Sequence, residues 1–395
     1  MNKMNFVSVA GKHREMGLEQ GRQFSKDIKK TFRRVLDFEG IKLVKPFFIP
    51  TPLFGYLVKK EITSGWLSNI KVIAPHQYER LLGIAEGSGT PAEELLSIQA
   101  LEVMADDVSL VMNGCFSAYL APHRTADGEP VLIKNFDFIK DFSDDNIARL
   151  SSPANGYSSF ELTYKQITGS HDGMNEKGLA ITYNYGLTTE KTQTRLPITL
   201  LVQELLENAG NVDEALSLIK NFRFPNAAIL TVADASGKAV SVEITPEHIG
   251  VRGIDSSSAS SSCDGILINT NYFQIEEMKK YDIPRETKYS ARAPRGIRGL
   301  RIHETNELRY ERASEVLASR RKHTIDDLIK LLSDHRLPHK DKSAETPSDL
   351  PSENTICRHG GFFRTQVSAV FYPRRRKALV AFGFPCESEF AEYIF

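Results

Sequence analysis

Cys115 is the residue whose setting suits covalent chemistry. It follows Gly114 and opens an apolar run, Cys115 to Ala121. Gly114 has backbone freedom denied to residues with a Cβ, which suits its carbonyl to attack by the next residue's thiol. Addition of the Cys115 sulfur to that carbonyl, followed by an N→S shift, gives a thioester. Water then releases the preceding chain and leaves Cys115 as a new N-terminus. A thiol has a pKa of ~8.5 and an α-amino group one of ~7.7–8.0. The freed amine is thus a base poised near neutral pH on the nucleophile's own residue, and no histidine is required. Two other readings stand beside this one. A Cys at the start of a strand is commonly a small buried hydrophobe. Cys115 or Cys357 with His359 or His171 makes an ordinary thiol hydrolase that needs no cleavage of its chain.

Other chemistries lack a motif. The chain has no GxxxxGK[ST], no GxGxxG opening a helix, no HExxH and no GxSxG. Lys+Arg and Asp+Glu are 50 each, giving zero formal charge, which argues against a nucleic-acid binder. Four cysteines without a CxxC exclude a disulfide scaffold and the common zinc modules. The residues imply no metal and no organic cofactor. Arg374-Arg375-Arg376-Lys377 reads as a solvated hairpin tip.

The elements around these residues form two regions within 395 residues, a length that buries a sizeable core. Up to about residue 110 the chain reads as mostly helical: His13 to Asp37, Pro75 to Ala85, and a third helix opened by Thr90-Pro91-Ala92-Glu93 and continued by Leu95, Ile98, Leu101 and Val103. From Asn113-Gly114-Cys115 onward, strands alternate with helices. Cys115 to Ala121 pairs across the Asp127-Gly128 turn with Val131 to Phe138. Gly178 to Gly186, Ile229 to Ala233, Ala239 to Ile244 and Ile266 to Asn271 follow as strands. Phe363 to Tyr372 and Ala378 to Phe384 close the chain as a hairpin. Helices are expected at Pro197 to Asn208, Val212 to Phe222 with Asn211 as cap, Asn306 to Ser319, and Thr324 to Asp334 with Thr324 and Asp327 as a capping pair. Ser256 to Ser262 and Lys340 to Asn354 read as loops. This order predicts antiparallel sheets covered by helices, an α+β arrangement. The N-terminus lacks an uninterrupted apolar stretch, and Ile41 to Val58 is broken by Lys45, Pro46, Pro50 and Pro52. No membrane association is expected, and the reading is a soluble cytoplasmic protein with free thiols.

Asn113-Gly114-Cys115, a hairpin, then Lys134-Asn135-Phe136-Asp137 resembles the self-processing N-terminal-nucleophile hydrolases, most closely the isopenicillin-N acyltransferase family (acyl-CoA:6-aminopenicillanate acyltransferase). Choloylglycine hydrolases and penicillin V acylases are more distantly similar. The resemblance runs over nearly the whole chain. Ile84-Ala85-Glu86-Gly87 with Leu95-Leu96 looks like the family's proregion. Asp172 to Leu179 looks like its central strand-turn motif, and Asn269-Thr270-Asn271-Tyr272 and Thr355-Ile356-Cys357-Arg358-His359 look like later signatures.

The resemblance implies a four-layer αββα sandwich of two antiparallel sheets. Residues 1–114 would be a helical proregion retained as the small subunit, and 115–395 the catalytic domain. Cys115 matches the nucleophile, Gly114–Cys115 the autocleavage bond, and Asp137 the carboxylate that holds the freed amine. Asn135 shares the Asp137 face by period two. Asn184 and Asn271 match the asparagines near the oxyanion, with Tyr185 the alternative to Asn184 by one residue of register. Arg309 matches an arginine that holds the nucleophile region, with Arg312 one turn on as its alternative. Arg358 is read as lining the acyl or carboxylate pocket or, equally, as a member of a buried structural ion pair, and His359 is read as structural. The family commonly has a small hydroxyl residue after the nucleophile. Here Phe116 stands there, with Ser117 next, and Phe116 and Tyr185 are expected at the substrate. The implied activity is hydrolysis of a linear non-peptide amide, or transfer of its acyl group, with acyl-CoA as a further donor. The processed fragments would form a heterodimer, and assembly of such pairs is left open. The alternatives are the unprocessed Cys–His hydrolase and an inactive binding protein of the same fold.

Overall fold

Strand Phe116–Leu120 is buried at every position, and so is Val131–Ile139. Strands without a wet face need a covering layer on each side, and the structure, a computed structural model, supplies both. It describes residues 5–38, 45–97, 114–190, 196–222, 224, 226–254, 264–293, 297–338 and 350–395. The strands are β1 (Phe6–Gly11), β2 (Phe116–Leu120), β3 (Val131–Ile139), β4 (Asn146–Pro153), β5 (Ser159–Tyr164), β6 (Asp172–Asn175), β7 (Ala180–Tyr185), β8 (Ala228–Ala233), β9 (Ala239–Ile244), β10 (Ile249–Gly253), β11 (Ile266–Asn269), β12 (Phe363–Tyr372), β13 (Lys377–Phe382) and β14 (Ala391–Ile394). Eight form one sheet, in the order β1-β4-β5-β6-β7-β8-β9-β10. Six form the other, in the order β11-β2-β3-β12-β13-β14.

The principal helices are α1 (His13–Gln23), α2 (Ser25–Asp37), α3 (Thr51–Glu61), α4 (Pro75–Ser88), α5 (Ile198–Asn208), α6 (Val212–Ile219), α7 (Glu304–Ala318) and α8 (Ile325–Leu332). The apolar clusters give the layering. Tyr119, Leu132 and Phe136 of the six-stranded sheet pack against Phe160, Leu162 and Met174 of the eight-stranded one. The other face of the larger sheet buries Leu179 and Ile181 beneath Leu201 and Leu205 of α5 and Val212 of α6. The other face of the smaller sheet buries Phe116, Ala118 and Ile133 beneath Leu317 of α7 and Leu328 of α8. Local signals fix these outer helices. The Asn211 side chain accepts from the Glu214 N–H at the start of α6, and Thr324 and Asp327 form a reciprocal capping box on α8.

The N-terminal region has its own core, in which Met16, Phe24, Ile28, Trp66, Leu81 and Ile84 meet Ile147, Leu196 and Leu200 of the second region. Helices α1 and α4 approach very closely. A Cβ on Gly17 would lie 2.0 Å from the Arg80 carbonyl oxygen, and one on Gly83 would lie 2.1 Å from that of Arg14. Among the described residues, no helix is long and apolar enough to cross a membrane.

Several expectations need correction. The mostly helical N-terminal region also supplies a strand: β1 enters the larger sheet and pairs with β4 in parallel, so that sheet is not wholly antiparallel. Its alternation, Val7 and Val9 in and Ser8 out, is a plain period-two signal. Of the third helix, the described residues show the turn Ala92–Leu95. Ile98, Leu101, Val103 and Asn113 lie outside the described residues, as do Ser256 to Cys263 and 339–349. The chain does not end in a hairpin, because β14 adds to β13. The sequence reading also passes over β4 and β5, whose Arg149, Ser151, Ser159 and Glu161 are wholly buried and disguise the strands as polar. The basic run does form a turn, and Arg375 pairs at 3.1 Å with Asp127 of the β2–β3 turn.

Candidate active site

Gly114 and Cys115 lead into β2, and both are buried. Three elements hold their peptide. The Gly114 N–H donates to Asn271 Oδ1 at 3.1 Å, from the segment after β11. Arg309 of α7 donates from Nη1 to the carbonyl oxygen of Gly114 at 2.6 Å and to that of Cys115 at 2.7 Å. Its Nη2 donates to Asn306 Oδ1 at 2.6 Å and to Asn271 Oδ1 at 3.3 Å. Asn184 Nδ2, from β7 of the facing sheet, lies 3.4 Å from the Cys115 carbonyl oxygen and 3.1 Å from those of Asn269 and Thr270. Gly114 is needed here for close approach. A Cβ would sit 2.3 Å from Arg358 Nη1 and 2.8 Å from Asp137 Cβ.

Asp137 lies beside this peptide on β3. Its Oδ1 accepts from Thr365 Oγ1 at 2.7 Å across the β3–β12 pairing. Its buried Oδ2 accepts no hydrogen bond among the described residues, and Arg358 Nη1 is 3.9 Å away. Burial raises the Asp137 carboxyl to about 6, against the pull of Arg358 and Arg309. Burial likewise pushes the Cys115 thiol up, opposed by Lys134. The thiol lies 3.7 Å from the Asp137 carbonyl oxygen. Burial and the neighbouring Arg358 lower Arg309 to about 9, which leaves it cationic at neutral pH.

The structure brings Gly114, Cys115, Asp137, Asn184, Asn271, Arg309 and Arg358 together. It also separates the paired options. Asn184 reaches the Cys115 carbonyl with its side chain, whereas Tyr185 offers its backbone oxygen to Asn271 Nδ2 at 2.8 Å. Arg309 faces the Gly114–Cys115 peptide, whereas Arg312 pairs with Asp334 at 2.7 Å. In this geometry Asn184 and Asn271 hold backbone groups. Asn135 turns to the Leu332 and Ile356 carbonyls at 2.8 and 2.9 Å, and so tethers the segment leading to Arg358. Phe116 is fully buried in the cluster under α7 and α8, where its bulk is core packing.

Residues outside the sequence expectation complete the site. Lys134 is wholly buried, and its Nζ donates to the Tyr183 carbonyl at 2.5 Å and to Asn184 Oδ1 at 2.7 Å. A lysine inside VLIKNFDFI is itself a signal, because an unpaired charge is rarely buried. Thr365 and Asn306 carry no comparable sequence signal. A cleft of about 690 Å³ opens on Thr365, with Phe24, Lys165, Arg364 and Phe384 in its walls.

The histidine alternatives find little support. His171 Nδ1 is 2.7 Å from Asp172 Oδ2, and its ring stacks on Phe136. Cys357 Sγ does lie 3.4 Å from His359 Nε2. Burial raises that thiol and lowers that imidazole, so both directions oppose a thiolate–imidazolium pair.

Residues 124–386 match the profile of the family described as Acyl-coenzyme A:6-aminopenicillanic acid acyl-transferase. That is two thirds of the chain, and the chain belongs to this family. The match includes Asp137, Asn184, Asn271, Arg309 and Arg358 and begins after Cys115, so it is shorter than the near-complete resemblance expected from the sequence. No curated protein matches the chain. Among solved structures, the chain is similar to the Caenorhabditis elegans ortholog of N-acylethanolamine-hydrolyzing acid amidase, at 14% identity and a TM-score of 0.42, covering 66% of this chain and 93% of that one. It is also similar to the R18L variant of conjugated bile acid hydrolase from Clostridium perfringens, at 15% identity and a TM-score of 0.40, covering 70% and 97%. Penicillin V acylase from Agrobacterium tumefaciens is similar at 14% identity and a TM-score of 0.40, covering 68% and 82%.

Proposed function

We propose that the chain is a self-processing cysteine amidohydrolase or acyltransferase of the N-terminal-nucleophile αββα class, acting on a linear non-peptide amide. The observation that carries this reading is the grip on one peptide: Asn271 takes the Gly114 N–H while Arg309 donates to the Gly114 carbonyl. A cationic donor on that oxygen makes the carbonyl carbon electrophilic and stabilises the charge that develops there. The Cys115 sulfur adds to this carbon and the C–N bond to Cys115 breaks. The thiol proton ends on the departing nitrogen, which becomes the α-amine. Water hydrolyses the resulting thioester and frees the carboxylate of Gly114.

In the mature form the thiol needs a base, because burial holds it protonated. The amine of Cys115 takes the proton as sulfur attacks the substrate amide, then passes it to the leaving amine. The acyl-thioester goes on to water or to an acceptor amine, with hydrolysis preferred because transfer needs a dedicated acceptor site. Asp137 Oδ2, a buried oxygen without a donor among the described residues, is suited to hold the new ammonium group. Residues 1–114 then persist as the small subunit and 115–395 as the large one. The amide substrate is a small molecule, with acyl-CoA as a further acyl donor.

The test is a denaturing gel with N-terminal sequencing. The wild type should yield fragments 1–114 and 115–395, the second beginning Cys-Phe-Ser, and Cys115→Ala should remain one 44.3 kDa chain. An uncut wild type with full amidase activity would overturn the proposal.

A further inference from the structure

Four side chains outside the candidate active site converge on one point: His335 after α8, Cys357 and His359 before β12, and Cys386 after β13. One ligand-type atom from each lies within 4.8 Å of all the others. A zinc ion with Zn–S of about 2.3 Å and Zn–N of about 2.0–2.1 Å, bound tetrahedrally, spaces its ligands about 3.8 Å apart for S···S and about 3.5 Å for S···N. Cys357 Sγ and Cys386 Sγ are 3.7 Å apart. His359 Nε2 is 3.4 Å from the first sulfur and 3.2 Å from the second. These separations are those of a tetrahedron's edges, and they are much too long for a covalent S–S bond. The fourth corner is His335, whose Nε2 is buried and accepts or donates no hydrogen bond among the described residues.

The surroundings also fit a built site. The His359 ring stacks on Phe384 at 3.7 Å and meets the His335 ring edge-on at 5.0 Å. The Cys357 N–H donates to the Asp334 carbonyl at 3.0 Å, which fixes the spacing of two ligand segments, and Asp334 is itself held by Arg312. The ligands come from three separated stretches, and only Cys357-x-His359 is local. This is why spacing rules for common zinc modules pass over them.

We propose that His335, Cys357, His359 and Cys386 bind one zinc ion in a closed, four-coordinate structural site. Two thiolates and two neutral imidazoles suit zinc in softness and geometry, and four protein ligands leave no open position for catalysis. The ion ties the ends of α8 and β13 to the segment before β12. Arg358, which faces Asp137, stands between two of the ligands, so the metal fixes the approach of that guanidinium to the Gly114–Cys115 peptide.

The test uses the full chain purified under reducing conditions from zinc-supplemented culture. Elemental analysis should find one zinc per chain, and the exposed-ligand variant Cys386→Ser should lose it while keeping the wild-type circular dichroism. Chelator-treated wild type titrated with Co(II) should develop the visible bands of a tetrahedral centre and a thiolate-to-cobalt charge-transfer band, saturating at one equivalent. Both should be absent from Cys386→Ser and strongly reduced in His335→Ala. Wild type that holds no zinc and gives no charge-transfer band with cobalt overturns the proposal. So does mass spectrometry that recovers Cys357 and Cys386 as a disulfide from protein purified with zinc present.

Discussion

Arg309 Nη1 lies 2.6 Å from the carbonyl oxygen of Gly114, and the same nitrogen reaches the carbonyl oxygen of Cys115 at 2.7 Å. One buried cation thus spans both peptides that flank the proposed nucleophile. Removing a charge-stabilising donor of this kind typically slows acyl chemistry ~10²–10³-fold. Arg309→Gln should slow self-cleavage by about that factor, followed as the loss of the uncut band over time. An unchanged cleavage rate in a folded Arg309→Gln chain would remove Arg309 from the mechanism.

Gly114 admits no side chain in this arrangement, since a Cβ would meet Arg358 Nη1 at 2.3 Å and Asp137 Cβ at 2.8 Å. Gly114→Ala must displace the peptide from its hydrogen-bonding partners. The variant should remain mostly uncut, with a melting temperature only modestly below that of Cys115→Ala. Rapid, complete processing of Gly114→Ala would show that the described grip is not the reactive one.

Asp137 gives a pH signature. Its carboxyl is raised by burial from 3.8 to about 6, so between those values the folded chain keeps a proton that the unfolded chain has lost. The stability it contributes is full below the unfolded pKa and is lost as pH rises through the folded value. A displacement of roughly two units is worth on the order of 3 kcal/mol. In a Cys115→Ala background, which keeps the chain uncut, Asp137→Asn should remove this dependence. The unfolding free energy of the parent should fall relative to the variant by on the order of 3 kcal/mol between pH ~4 and ~7. A difference that stays flat with pH would contradict the raised value.

The two proposed subunits share a buried polar network. Arg80 Nη2 donates to Ser151 Oγ at 2.7 Å, Arg149 Nη1 to Gln20 Oε1 at 3.0 Å, and His13 lies 2.8 Å from Glu207. Arg149 also pairs with Glu161. Truncating one member of a buried ionic group commonly weakens an assembly by about 3–5 kcal/mol. After processing, the wild-type fragments should co-elute in size exclusion, and Arg80→Ala should part them at clearly lower urea. Equal urea tolerance would place the retention elsewhere, in the apolar contacts of α1 and α4.

The sequence made the candidate site more legible than the middle of the molecule. Gly114-Cys115 stands out because its chemistry is local, Asp137 on the neighbouring strand was reached only through the family resemblance, and the caps at Asn211 and Thr324 are read from four consecutive residues. Arg309 and Asn271 needed a family resemblance, since nothing in a helical arginine or a loop asparagine says which peptide it will meet. Lys134 carried a visible signal, a charge inside an apolar strand, that composition alone does not convert into a partner. Strands β4 and β5 were hidden because Arg149 and Glu161 neutralise each other inside the fold. The His335–Cys386 cluster was hidden for a similar reason: its geometry exists only after three distant segments have packed.

The parallel pairing of β1 with β4 has a consequence for the fate of the small fragment. If the proposed cleavage occurs, the outermost strand of the larger sheet belongs to a separate fragment, held by its ladder to β4, by the packing of Val7 and Val9, and by the core and polar contacts of the helices that follow it. Stripping it away would uncover a rank of unsatisfied amides and carbonyls along β4, a template for another copy of the same chain. Under the proposed processing, a large fragment refolded without its companion is expected to associate into insoluble material.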